Sequence, residues 1–345
     1  MKKLLAFILL SIAMVSCYNN YITDFTYDAI YFPNQMDIRT FVVGEGMKFD
    51  VGVALSGVHS NNRDRNVSFT FDNTLITAAL LSTEQTSSNS WVKGPTASPL
   101  VGTVPPYVTA LLPLPSNYYT ITNANTMVIK SGTWAGVVTI KPDTTLFLND
   151  SLKTMYGTYV LPFEITAADA DTVLKSKSTN VVGVKFENML FGNYWHGGAA
   201  VLSKKNQPAV DSITVTYPHA VTDANSKIWT LTTYGPCSLY ANGYYNQTVT
   251  TKNEMKLVLK GTSIFVSAGA AWPSWAATAP TNTVSANGTS SYNAPLLLQN
   301  RKIFLNYKYT SSGIQYKCTD TLFFRNRFRD GVNEWQDENP AHYIQ

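Results

Sequence analysis

Two tryptophans, Trp272 and Trp275, stand in the segment 261–300, which contains no Asp, Glu, Lys or Arg. Indole rings stack on the apolar C–H faces of sugars, and neighbouring Asn, Ser and Thr side chains can bond to sugar hydroxyls. The segment therefore predicts a surface that binds a neutral glycan by stacking on these two rings. The sequence leaves one alternative open, in which the loop folds the same rings back over its own domain as a plug.

A second group of chemically capable residues lies near the C-terminus. Four carboxylates close together could supply a general acid and base or oxygen ligands for Ca²⁺. Because arginines 325, 327 and 329 precede them, an ion-pair network is the simpler interpretation. The histidines form no HExxH pair, and no Gly-x-Ser-x-Gly elbow or phosphate-binding glycine loop is present. We therefore predict a non-catalytic chain without a cofactor. The four carboxylates are Asp330, Glu334, Asp337 and Glu338.

Three cysteines are present, and two of them, Cys237 and Cys318, lie in the second half of the chain. They could form a disulfide in an oxidising compartment, but the sequence cannot show whether their Cα atoms come within bridging distance. The sequence does not decide whether the two cysteines form a disulfide or stay free thiols. No Cys-x-x-Cys or Cys/His cluster occurs, so no structural zinc site is expected.

The elements that must position these residues are β-strands. Apolar and polar residues alternate from Met47 to Leu55, and a period of two is that of a half-buried strand. Gly, Asn, Pro and Asp clusters separate such segments, as an antiparallel sandwich or barrel requires. Only Asp72 to Gln85 predicts a short helix. The other alternating segments are 67–71, 159–165, 182–186, 213–217, 255–259 and 303–309.

Composition and charge narrow the class of protein. Of the 345 residues, 45% are hydrophobic and only 14% charged, with a formal net charge of +4. A chain of this length can bury a large core without disulfides. The low charge content and the many Tyr, Phe, Ser, Thr and Asn residues predict an exported all-β protein. No concentrated basic run of the kind that binds nucleic acid is present, so no nucleic-acid partner is expected.

The chain begins with Lys2 and Lys3, followed by an apolar run from Leu4 to Val15 that is too short to span a bilayer. This predicts an export signal. The run ends in Ser16-Cys17 and resembles a bacterial lipobox, in which the cysteine is acylated and becomes the new N-terminus. The resemblance implies a signal peptide over residues 1–17, a lipidated Cys17 and anchoring in outer-membrane lipid.

The strand pattern divides near residue 187. Alternation in the first half ends at Phe186, and a Gly-Asn-Tyr-Trp-His-Gly-Gly run starting at Gly192 reads as a new beginning. We therefore predict domains over residues 18–187 and 188–345.

The order of several short motifs resembles two-domain lipoproteins of the Bacteroidetes that accompany starch-utilisation-type systems. The resemblance implies an immunoglobulin-like β-sandwich followed by a second β domain, with glycan binding for a SusC/SusD-type uptake complex at the cell surface or the periplasmic face. The N-terminal motifs are 29–33, 55–57, 112–119, 129–132 and 159–162, and the C-terminal ones are 193–198 and 327–335.

Trp195 suggests the architecture of the second domain. In lipocalin-like barrels a Trp on the first strand, shortly after a Gly, packs under an Arg from near the end of the chain. Here Gly192 and Trp195 open the domain, and Arg325 or Arg327 closes it. By this analogy we predict an antiparallel lipocalin-like barrel closed by cation–π stacking on a buried Trp195, with Arg327 as the partner we favour. The adjacent His196 is expected to be a core or turn residue.

Together these observations predict a lipid-anchored, carbohydrate-binding protein of the outer membrane. An adhesin or structural surface subunit that binds another protein is the alternative.

Overall fold

The computed structural model describes residues 27–86, 108–204, 212–217, 226–245, 247–248, 255–269, 283–293 and 297–336. They form a β-sandwich followed by a closed eight-stranded antiparallel β-barrel, which confirms the predicted all-β class and its order. Among these residues no helix combines the length and apolar character needed to cross a bilayer.

The sandwich consists of two packed sheets. One sheet has the strand order β10-β1-β3-β8-β6, and the other has the order β2-β11-β9-β4-β7 with β5 beside β9. Their inward residues form an apolar core that includes Phe41, Phe147 and Phe186. The strands are β1 (Ala29–Tyr31), β2 (Met36–Val43), β3 (Phe49–Ser56), β4 (Arg65–Phe71), β5 (Leu112–Pro113), β6 (Tyr119–Ile121), β7 (Thr126–Ile129), β8 (Ala135–Pro142), β9 (Tyr159–Ala168), β10 (Thr172–Val173) and β11 (Thr179–Asn188).

The barrel follows after a connection of three residues. Its strands run in the order β12-β14-β15-β18-β19-β20-β22-β23, and β23 pairs with β12 to close the ring. Strand β21 also bridges β19 and β22, β13 extends the ring beside β12, and β24 forms a hairpin with β23. The strands are β12 (Gly192–Lys204), β13 (Ile213–Tyr217), β14 (Lys227–Gly235), β15 (Ser238–Ala241), β16 (Gly243–Tyr244), β17 (Gln247–Thr248), β18 (Met255–Lys260), β19 (Ser263–Ala268), β20 (Ser285–Ala286), β21 (Ser290–Tyr292), β22 (Lys302–Ser311), β23 (Ile314–Arg329) and β24 (Val332–Glu334).

The helices are short and lie in the sandwich. The predicted helix from Asp72 begins later, because the Asp72 carboxylate caps a separate 3₁₀ turn by accepting a hydrogen bond from Thr74 N. Thr77 then caps the α-helix by accepting from Leu80 N. The α-helices are α1 (Ala78–Thr86), α2 (Thr144–Asn149) and α3 (Ser151–Thr154).

Candidate functional site

One end of the barrel is closed by a carboxylate from the sandwich. Both oxygens of Glu45 accept hydrogen bonds from Arg327, at 2.9 and 2.8 Å, and Oε1 also accepts from Arg301. The three side chains are between 1% and 4% exposed. Two buried guanidinium groups of the barrel thus share one carboxylate from the sandwich, and Arg327 also pairs with Glu334. We call Glu45, Arg301 and Arg327 the buried ion cluster.

The turn between β2 and β3 brings Glu45 to this position. Gly44 and Gly46 both have positive φ, at 95° and 82°, which glycine adopts without steric cost. A Cβ on Gly44 would lie 2.7 Å from the sulfur of Met189, so only glycine lets the turn approach the barrel this closely. Val42, just before the turn, packs into the barrel core. The Gly-Glu-Gly sequence therefore builds the contact between sandwich and barrel.

The charge state of Glu45 follows from its partners. Burial raises the pKa of its carboxyl, but the hydrogen bonds and charges of Arg327 and Arg301 outweigh burial and hold that pKa below the ordinary value. Glu45 is therefore ionised at neutral pH.

A cleft of about 340 Å³ lies beside the buried ion cluster. Glu334 in its wall pairs with Arg327 and Arg329, and the carboxylate of Asp330 accepts hydrogen bonds from the Thr40 hydroxyl and backbone N–H. Burial raises the pKa of Asp330. The lining carries four basic and four acidic side chains, so this cleft favours no ligand of a particular charge.

A second polar group lies inside the barrel around Asp320. One carboxylate oxygen accepts a hydrogen bond from Tyr217 and the other accepts from Tyr307 at 2.6 Å. His196 Nε2 lies 3.0 Å from the second oxygen, and the His196 and Asp320 side chains are wholly buried. Asp320 therefore links four strands of the barrel: β12 through His196, β13 through Tyr217, β22 through Tyr307 and its own strand, β23.

Burial, together with Asp320, raises the pKa of the neighbouring hydroxyl and thiol groups. Burial and the charge of Asp320 raise the pKa of Tyr217 and Tyr307 far above the ordinary tyrosine value. Burial, with Asp320 as a further cause, also raises the pKa of Cys318 to about 12. The Cys318 thiol is thus not ionised at neutral pH, and this group of residues is suited to hydrogen bonding rather than to nucleophilic attack.

The glycine run after His196 makes room for Asp320. A Cβ on Gly198 would lie 2.3 Å from the Thr319 carbonyl oxygen and 2.9 Å from Asp320 Oδ1. Any larger residue would push β12 away from β23 at this point. The Asn-Tyr-Trp-His-Gly-Gly motif is therefore explained by packing, since its histidine and second glycine both contact the buried carboxylate.

Aromatic rings continue from this group toward the far end of the barrel. We call the end of the barrel away from Glu45 the far end. Gly192, at the start of β12, contacts Arg327 and so lies at the Glu45 end, whereas Leu202, ten residues further along β12, pairs with Tyr316 at the far end. Successive ring centroids are 3.8, 5.1, 5.5, 5.2, 4.5 and 4.8 Å apart. We call this series the aromatic column, and its members in order are Trp229, His196, Tyr217, Tyr245, Tyr316, Tyr309 and Tyr244.

The two ends of the aromatic column differ in exposure. Trp229 and His196 are 0% and 1% exposed, whereas Tyr244, Tyr245 and Tyr316 are half-buried. In the described part of the chain, Trp229 Nε1 and both ring nitrogens of His196 make no hydrogen bond, because His196 Nε2 lies close to Asp320 without hydrogen-bond geometry. Buried polar atoms of this kind are costly unless something bonds to them. The column thus joins buried, unpartnered nitrogen atoms to tyrosines at the surface.

Trp195 and Arg327 do not pack together as predicted. Arg325 lies over the Trp195 ring at 5.1 Å, while Arg327 lies over Phe191 and binds Glu45. The reason is a register shift opposite Asn193 and Tyr194, which makes Arg325 an extra residue and turns Arg325 and Arg327 to opposite faces of β23. Trp195 is accordingly half-buried on the outside of the barrel, whereas Tyr194 and Trp229 are wholly buried inside it.

The possible disulfide does not form in the structure. Both cysteines are free thiols, with Cys237 exposed in the turn between β14 and β15 and Cys318 wholly buried inside the barrel. Other predicted residues, namely Cys17, Trp272, Trp275, Asp337 and Glu338, lie outside the described residues.

Two central residues, Asp320 and Glu45, were not predicted as site residues. Asp320 stands on the inward, apolar face of its strand between Cys318 and Leu322. An acid at an inward position of an alternating segment could have indicated a buried polar site. Glu45 carried a weaker signal, because an acid between two glycines also suits an exposed turn.

The known proteins that this chain resembles have no function stated in their descriptions. A family model described as "-like, N-terminal domain" matches residues 23–172. No curated protein matches the chain. A Bacteroides ovatus protein of unknown function is 18% identical, with a TM-score of 0.60, over 92% of this chain and 100% of its own. A B. ovatus multidomain protein including DUF1735 is 13% identical, with a TM-score of 0.41, over 90% of this chain and 100% of its own. The chain therefore shares the fold of the first of these proteins.

Proposed function

We propose that this chain is a non-catalytic, lipid-anchored protein of the cell envelope that binds carbohydrate for an outer-membrane uptake system of the SusC/SusD type. The observation that carries the proposal is the aromatic column, which brings half-buried tyrosines to the far end of the barrel. Phenol rings offer planes on which sugar rings stack.

The arrangement of these tyrosines supports stacking on a ligand. Tyr309 and Tyr316 stack at 4.5 Å with their planes 6° apart, so their rings are held in place before any ligand binds. Rings held in this way lose little conformational entropy on binding. Strand β19 ends at Ala268, and Thr283 bonds to Thr310 on β22, next to Tyr309. The described residues on either side of the segment with Trp272 and Trp275 thus lie near these tyrosines.

Glycan binding is tested by calorimetric titration. A glycan array probed with the full chain first identifies a neutral oligosaccharide ligand. We expect Trp272→Ala/Trp275→Ala to weaken its binding roughly ten- to thirty-fold and Tyr316→Ala about fivefold, at about 1 kcal/mol for each stacked ring.

Trp134→Ala is the matched control, because Trp134 is 48% exposed on the sandwich and should leave affinity unchanged. Circular dichroism checks that every variant folds. Wild-type affinity in both barrel variants would refute the site, and no retained neutral glycan would refute the function.

Anchoring is tested separately at Cys17. If its thiol is acylated, intact mass spectrometry should find a mature N-terminus at Cys17 with added acyl mass, and the protein should partition into detergent. Cys17→Ser should lose both properties. Equal partitioning of the two proteins without acyl mass would show that the lipobox interpretation is wrong.

A further inference from the structure

The second half of the chain carries an excess of basic residues. Residues 188–345 contain thirteen Lys and Arg against eight Asp and Glu, whereas residues 18–187 contain eleven against fourteen. The small net charge of the whole chain therefore hides a positive barrel joined to a slightly negative sandwich. Charge separated in this way acts on partners rather than on the fold.

The basic side chains of β22 and β23 share one face. Ile303, Leu305, Tyr307 and Tyr309 point into the barrel, so the residues between them point outward. Asp320, the single acid on these two strands, points inward and is buried. We call the outward residues Lys302, Phe304, Lys308, Lys317, Thr319 and Arg325 the basic face.

Lys308 and Lys317 lie directly opposite each other on paired strands. Like charges in this position destabilise a sheet. In the part of the chain that the structure describes, neither lysine has an acidic partner within 4.0 Å. An anion bound between the two ammonium groups would remove the repulsion.

The other end of the basic face also carries two cationic side chains, and each of them lies over an aromatic ring. Lys302 lies over the ring of Phe323 and Arg325 over that of Trp195, at 5.2 and 5.1 Å. Six residues along an antiparallel strand separate Lys302 from Lys308, a distance of about 20 Å. Two cationic ends this far apart suit an extended polyanion better than a single small anion.

The residues between the cationic ends are of types that can contact a sugar. Phe304 is 39% exposed, and the hydroxyl of Thr319 and the side chain of Asn306 stand beside it on the same face. The strip is two strands, or about 5 Å, wide and twists with the sheet. A narrow, twisted strip matches one extended chain and not a flat membrane.

We propose that the basic face binds an acidic polysaccharide, with its carboxylates on the paired lysines and on Lys302 and Arg325 and with sugar rings on Phe304. This surface lies outside the barrel and is independent of the proposed neutral-glycan site at its far end.

The test uses the full chain in detergent and polygalacturonate as the polyanion, with methyl-esterified polygalacturonate as the uncharged form. We expect binding to the acidic form, weakening as salt rises. Lys308→Gln/Lys317→Gln should bind about tenfold more weakly at low salt and show a shallower salt dependence. Phe304→Ala should weaken binding without changing the salt dependence.

Lys141→Gln/Lys175→Gln removes the same charge from exposed positions on the sandwich and should bind as the wild type does. Equal losses in both double variants, or no binding to polygalacturonate, would overturn the proposal. So would tighter binding to phosphatidylglycerol vesicles than to polygalacturonate, since that result would assign the surface to a membrane. The Trp272→Ala/Trp275→Ala variant should keep its polygalacturonate affinity, which separates this result from the test of the proposed function.

Discussion

Glu45→Gln should lower the free energy of unfolding by about 3 to 5 kcal/mol, because it removes the carboxylate that the buried guanidinium groups of Arg301 and Arg327 share and leaves Arg327 with Glu334 as its acidic partner. Arg301 and Arg327 are 1% and 2% exposed, and Glu45 is their common partner. Glutamine keeps the size of the side chain, so the loss measures charge and hydrogen bonding rather than a cavity. Guanidinium unfolding of the full chain, followed by tryptophan fluorescence, gives the value.

Asp64→Asn serves as the control for this measurement. Asp64 pairs with Lys130 on the surface, where the two side chains are 49% and 68% exposed. An exposed pair of this kind contributes at most about 1 kcal/mol. A Glu45→Gln variant no less stable than Asp64→Asn would show that the buried ion cluster does not hold the barrel end closed.

The loss of stability in Glu45→Gln should also depend on pH. The pKa of Glu45 is lowered from its ordinary value of 4.5 in the folded protein, so its stabilising effect is complete above that value and is lost as pH falls through the folded pKa. The difference in unfolding free energy between wild type and Glu45→Gln should be constant from pH 6 to 8 and shrink below about pH 4.5. Asp330 has the opposite shift, but both proteins contain it, so its effect cancels in the difference.

Asp320→Ala should cost about 3 to 5 kcal/mol, because two buried tyrosine hydroxyls lose a charged acceptor. Tyr217 and Tyr307 are 2% and 0% exposed, so water cannot replace the carboxylate without entering the core. Asp320→Asn should cost less, since an amide oxygen can still accept one of the bonds. Chemical unfolding measures both, and near-ultraviolet circular dichroism should report the changed setting of Trp229, which stacks on His196.

Thr319→Ala tests whether the effect belongs to the carboxylate. Thr319 is the next residue on the same strand but is exposed on the outside, so its loss should stay within about 0.5 kcal/mol. If Asp320→Ala proved as stable as Thr319→Ala, the tyrosine hydroxyls would have found other acceptors. Asp320 would then not organise the barrel interior.

The strands could be predicted from the sequence because alternation records which face of a strand is buried. Segments such as 49–56 and 302–311 alternate without interruption, and both form strands. The predicted start of the helix at Asp72 was wrong, because an Asp can cap a 3₁₀ turn as well as an α-helix.

Side-chain partners were harder to predict than strands. Arg327 and Glu45 are 282 residues apart, and no local pattern relates them. The choice between Arg325 and Arg327 as the partner of Trp195 depended on one bulge, and moving by one residue reverses the face of a strand. Alternation predicts which way a side chain points only where the register is regular.

The pairing of β2 with β11 has a mechanical consequence. These strands run parallel, and all eight residues of β2 pair with β11, which leads through three residues into the barrel. When the barrel is pulled away from an N-terminus held in place, β2 and β11 are drawn in opposite directions along their length. Their hydrogen bonds are then strained together in shear instead of opening one after another. The sandwich is therefore arranged to bear tension between the N-terminus and the barrel.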